Sequence, residues 1–270
     1  MDEAHLKKAK LEEALKRLGS VAVAFSYGVD STFLLKTAQG LLGDRAVAVT
    51  ACSCLFPASE LGAAAAYCER EGIRFVAVGP EELPIDDFRS NPPDRCCLCK
   101  RRMLEKIIVR ARQAGICHVA EGSNADDVFD HRPGMAAVAE LGVKSPLLEA
   151  GLTKAEIRLL SKEMGLPTWD NPSLACLASR FAVGELLTEE RLAMVERAER
   201  YLTDIGLRTV RVRVHGDIAR IETDPSEFPR FLQPGTAAEV RGYLTGLGFR
   251  YVALDLGGYV TGSMNGTLTT

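Results

Sequence analysis

Val21-Ala22-Val23-Ala24-Phe25 runs directly into Ser26-Tyr27-Gly28-Val29-Asp30-Ser31-Thr32, and Phe33-Leu34-Leu35-Lys36-Thr37-Ala38 follows. The first segment is apolar and β-prone, the second is small, polar and glycine-bearing, and the third reads as a helix. A strand that breaks into a helix through such a loop aims free backbone N–H groups and the positive end of the helix dipole at one point, which is the geometry of an anion site. Gly28 and Val29 contribute backbone there, Ser26, Ser31 and Thr32 add hydroxyl donors, and Asp30 brings a carboxylate able to hold Mg²⁺ beside a phosphate. The same residues would serve an ordinary serine-rich βα turn, and the physics alone leaves the two readings level.

Outward from this loop the chain alternates. Strand-like runs at Val21–Phe25, Ala46–Thr50, Arg74–Val78 and Cys117–Glu121 are separated by helical stretches near Ser31–Leu42, Pro57–Glu71 and Lys100–Gly115. Such alternation predicts right-handed βαβ units, hence an α/β fold with a parallel sheet covered by helices. Ligands of such sheets bind beyond the carboxyl ends of the strands; Ser26, Thr50, Gly79 and Gly122 fall at those ends, so the loops following them should converge. A further helix is expected at Thr153–Met164, with Thr153 as N-cap, Glu156 three residues on and Gly165 as the stop.

After about Arg180 the texture changes. A helix from Thr188 to Leu202 is followed by the period-two strand Thr209-Val210-Arg211-Val212-Arg213-Val214, a turn at Gly216-Asp217 and a returning strand at Ile218–Glu222. A helix near Thr236–Leu247 and a strand near Tyr251–Leu256 complete a small α+β unit. The expected division is 1–180 and 181–270.

With 270 residues and 47% hydrophobic content the chain can bury a sizeable core. A net charge of −3 gives no push toward nucleic acid. No apolar run approaches the ~20 residues of a membrane span, and the charged, periodic stretch from Asp2 to Leu18 reads as an amphipathic helix rather than a signal peptide. The expectation is a cytoplasmic protein with no membrane partner, in which eight cysteines signify thiols, metal or chemistry rather than disulfides.

Cys96 and Cys99 form a C-x-x-C after the loop Asn91-Pro92-Pro93-Asp94, and Cys97 between them points elsewhere. No second pair completes a closed zinc site. Cys176, in Asn171-Pro172-Ser173-Leu174-Ala175-Cys176-Leu177-Ala178-Ser179-Arg180, is the best third ligand; three thiolates on a [4Fe–4S] cluster leave one iron open, which suits catalysis. A redox dithiol and loosely grouped free thiols remain open as readings. Cys52, Cys54, Cys68 and Cys117 lie in or beside apolar segments and read as small core residues. Arg95, Lys100, Arg101 and Arg102 surround the motif with positive charge that would attract anions, although such a run also suits a solvated helix face.

Ser26-x-Gly28-x-Asp30-Ser31 resembles the PP-loop of the N-type ATP pyrophosphatases, an adenine nucleotide α-hydrolase-like fold whose members cleave ATP to AMP and pyrophosphate while adenylating a substrate. The family usually has Ser-Gly-Gly; Tyr27 replaces the first of those glycines, and a bulky residue is strained if that position needs φ > 0. Further segments resemble the LarE sulfur transferases of lactate racemase maturation. These are Gly122-Ser123-Asn124-Ala125-Asp126-Asp127 continuing through His131-Arg132-Pro133-Gly134 to Leu141–Leu147, then Pro172–Arg180, then Val210–Glu222. With the PP-loop they cover the chain from about residue 20 to about 222, in matching order.

The resemblance implies that a carboxylate of a pyridinium dicarboxylate mononucleotide is adenylated by Mg-ATP and converted to a thiocarboxylate for the nickel-pincer nucleotide. It implies Ser26, Gly28, Val29, Asp30 and Ser31 at the pyrophosphate and Mg²⁺, with Asp126 as a second Mg²⁺ or ribose contact or else a helix cap. Arg211 and Arg213, which share a strand face, would hold the substrate phosphate, across a subunit contact of a homo-oligomer; on spacing alone they read as an exposed hairpin face neutralised by Asp217 and Glu222. Two sulfur sources exist in the family. Either the cysteine matching Cys176 is sacrificed to dehydroalanine, or C-x-x-C with that cysteine holds a [4Fe–4S] cluster that passes on sulfide from an external source. Cys96 and Cys99 favour the second. A PP-loop tRNA thiolase is the alternative, against which the net acidity and the absence of a zinc-ribbon spacing count. A non-enzymatic metal module and an ammonia-using amide synthetase fit less of the chain.

Overall fold

The alternation becomes a four-stranded parallel sheet. The computed structural model describes residues 2–128, 134–172, 175–260 and 263–264; of the motifs quoted above, His131-Arg132-Pro133 and Ser173-Leu174 lie outside the described residues. In chain order the first elements are α1 (Glu3–Leu18), β1 (Val21–Ala24), α2 (Val29–Leu42), β2 (Ala46–Ala51), α3 (Ala58–Arg70) and β3 (Arg74–Val78). There follow α4 (Arg95–Gln113), β4 (Val119–Ala120), α5 (Gly134–Glu140), the one-turn α6 (Pro146–Glu149) and α7 (Lys154–Glu163). The strand order is β3-β2-β1-β4, every pairing parallel, and Lys144 adds a parallel bridge to Ala120.

Period-two alternation divides the strands between two faces. Val21 and Val23 of β1 and Ala46 and Ala48 of β2 pack with Leu11, Leu15, Phe33, Leu34 and Ile157 from α1, α2 and α7. Ala22, Val47 and Val49 pack on the other side with Leu104 and Ile107 of α4 and Val138 of α5. Leu11 and Leu15 are fully buried, and each contributes about 1.5–3 kcal/mol to holding α1 in place. The result is the expected doubly covered sheet.

β1 has β2 on one side and β4 on the other, so the direction in which the sheet grows reverses between β1 and β4. That reversal opens a crevice at the carboxyl ends of these two strands, the place where open α/β sheets bind ligands. The loops at residues 25–28 and 121–124 flank it.

α7 has the cap read from its sequence. The Thr153 hydroxyl accepts from the Glu156 N–H at 3.3 Å while the Glu156 carboxylate accepts from the Thr153 N–H at 2.8 Å, and Gly165 follows at φ +66°. α4 differs from expectation. It starts at Arg95 rather than near Lys100, so the C-x-x-C lies inside its first turn instead of preceding it. The Asn91–Asp94 loop ends early enough for residues 95–99 to wind, because Asp94 carbonyl oxygen already accepts from Cys97 and Leu98 N–H. Cys117 is a second correction. It is exposed, because it stands in the short connection before β4 rather than on the strand. Cys68 is buried, and Cys52 and Cys54 are half-buried.

The chain forms two compact units. The first comprises Met1–Ser53, Ala58–Pro84 and Asp94–Leu174; the second comprises Cys54–Pro57, Ile85–Pro93 and Ala175–Thr270. The second unit thus begins a few residues before the expected division and also takes two short segments from far upstream. It contains α8 (Glu189–Asp204), β5 (Val210–His215), β6 (Ile218–Thr223), the one-turn α9 (Phe228–Phe231), α10 (Thr236–Gly246) and β7 (Tyr251–Leu254). β5 and β6 are the antiparallel hairpin, with Gly216 at φ +57° in the turn, and β7 pairs parallel to β6. Backbone bonds stitch the upstream segments in: Leu177 N–H donates to Leu55 carbonyl at 2.7 Å, Gly184 N–H to Asn91 at 2.9 Å and Leu187 N–H to Arg89 at 2.9 Å. Asn91 itself takes φ +46°, which asparagine tolerates, and its side-chain amide donates to Ala182 carbonyl at 2.7 Å.

Candidate functional site

In the first unit the loop between β1 and α2 is closed by its own hydroxyls. Ser31 Oγ donates to Gly28 carbonyl at 3.2 Å and lies 3.1 Å from Ser26 Oγ, and the Ser26 N–H donates to Ser31 Oγ at 3.3 Å. Gly28 is the N-cap of α2 and has no side chain with which to cap it. The opening amides of α2 therefore face the crevice with two serine hydroxyls beside them.

The left-handed residue in this loop is Tyr27, at φ +58°, whereas Gly28 has φ −77°, ψ +166°, a conformation open to any residue. For an L-residue the left-handed conformation costs about 1–2 kcal/mol. Tyr27 packs edge-on against Phe25, with ring centroids 6.1 Å apart, and tilted against Tyr67 at 5.5 Å. Two such contacts contribute about 0.5–1.5 kcal/mol each beyond area burial, enough to offset the strain.

Gly122, two residues beyond β4, closes the other wall. A Cβ there would stand 3.2 Å from Asp30 Cβ and 3.2 Å from Ser31 N, so a side chain would press on the start of α2. Asp30 Oδ2 is ion-paired with Lys154 Nζ. Lys154 is the first residue of α7, and its N–H donates to Asp126 Oδ2 at 2.8 Å. Asn124 Oδ1 in turn accepts from Asp126 N–H at 3.0 Å. Asp126 thus ties the Asn124 turn to the start of α7, and Lys154 links it to the loop. Lys154 escaped the sequence reading. The available signal was a cation at the positive end of a helix dipole, a placement that asks for a specific anionic partner.

Lys100, next to the C-x-x-C, reaches the same strand end. Its Nζ donates to Glu121 Oε2 at 3.0 Å, and Glu121 also accepts from Ser123 Oγ at 2.8 Å and Ser145 Oγ at 2.6 Å. Burial pushes the Glu121 carboxyl up, but the Lys100 charge and these hydrogen bonds outweigh it and hold its pKa below the ordinary value. Cys96 and Cys99 lie three apart in the first turn of α4 and so share a face. The guanidinium of Arg95 donates to Cys96 Sγ at 3.4 Å.

In the second unit Cys176 begins a 3-10 turn, Leu177–Arg180, built around one buried guanidinium. Arg180 is 3% exposed. Its Nε and Nη2 donate to the two oxygens of Glu199 on α8, both at 2.9 Å, and its Nη1 donates to Ala175 carbonyl at 2.7 Å and Cys176 carbonyl at 3.0 Å. Glu199 also accepts from Val212 N–H on β5 at 2.9 Å. Burial opposes the charge on Arg180, yet Glu199 and Cys176 more than compensate and raise its pKa.

The two hairpin arginines have different surroundings. Arg213 is buried, its Nε donating to Glu222 Oε2 at 3.0 Å and its Nη1 to Ser179 carbonyl at 3.1 Å. Glu222, fully buried, is shared with Arg220 at 3.0 Å. The hairpin face is therefore neutralised by Glu222 as one reading expected, but it is covered rather than exposed. Arg211 is half-buried, with its guanidinium 5.6 Å from the Tyr259 ring centroid and Nη1 on its neighbour's carbonyl, Val210, at 2.8 Å. Burial and the neighbouring Arg180 and Arg213 charges push its pKa down, against Glu199 and Tyr259. An anion arriving here would relieve that repulsion.

Among the described residues, no group of three His, Cys, Asp or Glu side chains is placed to hold a metal ion. Cys96 and Cys99 belong to the first unit and Cys176 to the second. Two thiolates one turn apart on α4 suit two corners of a cluster. Mg²⁺ makes a weaker demand, since one or two carboxylates plus substrate phosphates suffice, and Asp30 at the α2 N-terminus meets it. Among the described residues no helix is long and apolar enough to cross a membrane.

A hydroxyl-lined loop opening a helix at the switch point of a parallel sheet, followed by a small α+β unit, defines the PP-loop class of α/β proteins. No protein-family model matches the chain. It is 41% identical over 264 residues to the pyridinium-3,5-bisthiocarboxylic acid mononucleotide synthase of Lactiplantibacillus plantarum, an alignment spanning 97% of this chain and 95% of that one. An uncharacterised Synechocystis protein is 40% identical over 263 residues, spanning 97% and 98%. One of the subunits of the glutamine-hydrolysing GMP synthase of Thermoplasma volcanium is 24% identical over 274 residues, spanning 93% and 81%. The chain belongs to the LarE-type pyridinium-3,5-bisthiocarboxylic acid mononucleotide synthase family.

Proposed function

We propose that the protein is an ATP-dependent sulfur transferase that adenylates a carboxylate of pyridinium-3,5-biscarboxylic acid mononucleotide and converts it to a thiocarboxylate, releasing AMP and pyrophosphate. The observation that carries this reading is the anion loop at the β1/β4 switch point, in a chain that also holds a cysteine turn built on a buried arginine and is 41% identical to a protein named pyridinium-3,5-bisthiocarboxylic acid mononucleotide synthase.

A carboxylate is a poor electrophile, and its attack on the α-phosphorus of ATP replaces a poor leaving group with AMP. The α2 amides and the Ser26 and Ser31 hydroxyls bind the departing pyrophosphate, and Lys154 places a cation beside Asp30 where that charge develops. Mg²⁺ held by Asp30 would add further charge neutralisation. Arg211 takes the phosphate of the substrate nucleotide, while Arg213 braces the Cys176 turn through Ser179. The Cys176 thiolate attacks the acyl-adenylate carbonyl, forming a thioester and expelling AMP. Loss of the Cys176 α-proton then breaks the Cβ–S bond, leaving the thiocarboxylate on the product and dehydroalanine at position 176.

The second reading, a [4Fe–4S] cluster replenished by external sulfide, is favoured by the shared face of Cys96 and Cys99 on α4, with Cys176 as its third thiolate. The homo-oligomer expected from the resemblance belongs to this proposal as well. Labelled pyrophosphate exchange into ATP, dependent on the pyridinium dicarboxylate mononucleotide, tests the adenylation; no exchange refutes it. After turnover, loss of ~34 Da at Cys176 marks the sacrificial route. About four iron and four sulfide per chain, lost in Cys96→Ala, would select the cluster instead.

A further inference from the structure

The loop of the anion site carries its positive φ on a tyrosine. Among the described non-glycine residues only Tyr27 and Asn91 have φ above zero, and asparagine reaches that region far more readily than an aromatic. A strained residue persists when its surroundings over-determine it. Here two rings do so. Phe25 is held by its own backbone, its N–H donating to Val49 at 2.9 Å and its carbonyl accepting from Thr50 Oγ1 at 2.7 Å. Tyr67, on α3, is 1% exposed and lies under the Arg70 guanidinium at 5.2 Å. Phe25 and Tyr67 also pack on each other, 6.0 Å apart, and the Tyr27 ring completes the triangle against the core that carries α2.

We infer that Tyr27 is a positioning residue: its ring, seated between Phe25 and Tyr67, locks the loop into the shape that presents Ser26, Ser31 and the α2 amides to phosphate. Glycine at this position would remove the steric strain, yet it would also free the backbone to leave that shape. The two consequences point in opposite directions. If Tyr27 is merely tolerated, Tyr27→Gly should tighten the site or leave it alone; if it locks the loop, Tyr27→Gly should loosen it. The phosphate part of this inference rests on the nucleotide reading above, while the locking of the loop does not.

The experiment compares full-length wild type, Tyr27→Gly and Tyr27→Phe by amide hydrogen exchange over residues 25–32 and by titration with Mg-ATP. In Tyr27→Gly the loop amides should exchange about tenfold faster. Mg-ATP should bind about tenfold more weakly, since apparent affinity scales with the populated competent state. In pyrophosphate exchange, KM for ATP should rise accordingly with kcat within about twofold. Tyr27→Phe keeps the ring and should restore all three. Tyr27→Asn, which accepts left-handed backbone without bringing a ring, makes the same comparison should glycine destabilise the fold. Exchange and affinity in the ringless variants within about twofold of wild type, or tighter binding, would overturn the lock. A wild-type loop that is protected, loosens in Tyr27→Gly and yet binds no Mg-ATP would sustain the lock and overturn the nucleotide reading.

Discussion

Arg180 offers the sharpest perturbation of the second unit. Its guanidinium fills a bidentate pairing with Glu199 and also holds the carbonyls of Ala175 and Cys176. Lysine keeps the charge but not the fork, so it can replace only some of these bonds. Bonds to a charged group contribute about 1.5–3 kcal/mol each. Losing two of them, partly compensated by the lysine, should destabilise by about 3 kcal/mol. For a chain of this size that lowers Tm by roughly 6–12 °C. Arg180→Met leaves Glu199, whose side chain is 13% exposed, without its cation and should cost about 3–5 kcal/mol. Adding Glu199→Leu removes the stranded carboxylate, so the double variant should lose at least about 2 kcal/mol less than the sum of the singles. Thermal and denaturant unfolding of the four proteins closes the cycle, and alkylation of Cys176 followed by mass spectrometry should be faster in Arg180→Lys because the turn is no longer held. An Arg180→Lys variant within about 0.5 kcal/mol of wild type, or strictly additive singles, would refute the assignment of Arg180 as the hub.

Glu121 sets an acid limit. Its pKa is lower folded than unfolded, so its contribution is present above the unfolded value and lost as pH falls through the folded one. Stability should drop below about pH 4.3, and Glu121→Gln should flatten that drop in Tm measured against pH; an equally steep fall in the variant removes Glu121 from the account. Arg211→Ala should raise KM for the nucleotide substrate in pyrophosphate exchange about tenfold with Tm near wild type, whereas Arg213→Ala should cost about 2 kcal/mol because Glu222 keeps only part of its pairing; the reverse pattern in paired exchange and melting experiments would exchange the two roles. Lys154→Met should raise KM for Mg-ATP or lower kcat in pyrophosphate exchange by about tenfold or more, and an unchanged exchange rate would dismiss it from the site.

What could be read in advance followed local physics. The Thr153/Glu156 capping box, the period-two strand at Val210 and the hydroxyl-rich loop all express their structure within a few residues of chain. Lys154 against Asp30 could not be read, because the two are joined only by the return of α7 to the α2 terminus. Gly122 was visible as a strand-end residue, but its reason, a backbone approach to Ser31 with no room for a Cβ, exists only in three dimensions. The hairpin shows the boundary well. Its register placed Glu222 opposite Arg211 and within reach of Arg213, yet alternation alone put that face in solvent, because the turn that covers Arg213 carries Ser179 from another part of the sequence. Whether the cysteines assemble was likewise beyond spacing: a C-x-x-C fixes two sulfurs on one helical turn and says nothing of a distant third.

The way the chain threads its two units bears on how it can be made and dissected. The second unit is sewn shut by Leu55, Arg89 and Asn91, residues that leave the ribosome well before Cys176 does. During vectorial synthesis these segments must wait, undocked, until the last third of the polypeptide arrives to claim them. Neither half is a cassette. A fragment cut at the change in sequence texture would leave the Cys176 turn with raw edges, and homologous exchange of the C-terminal portion alone would graft it onto foreign stitches.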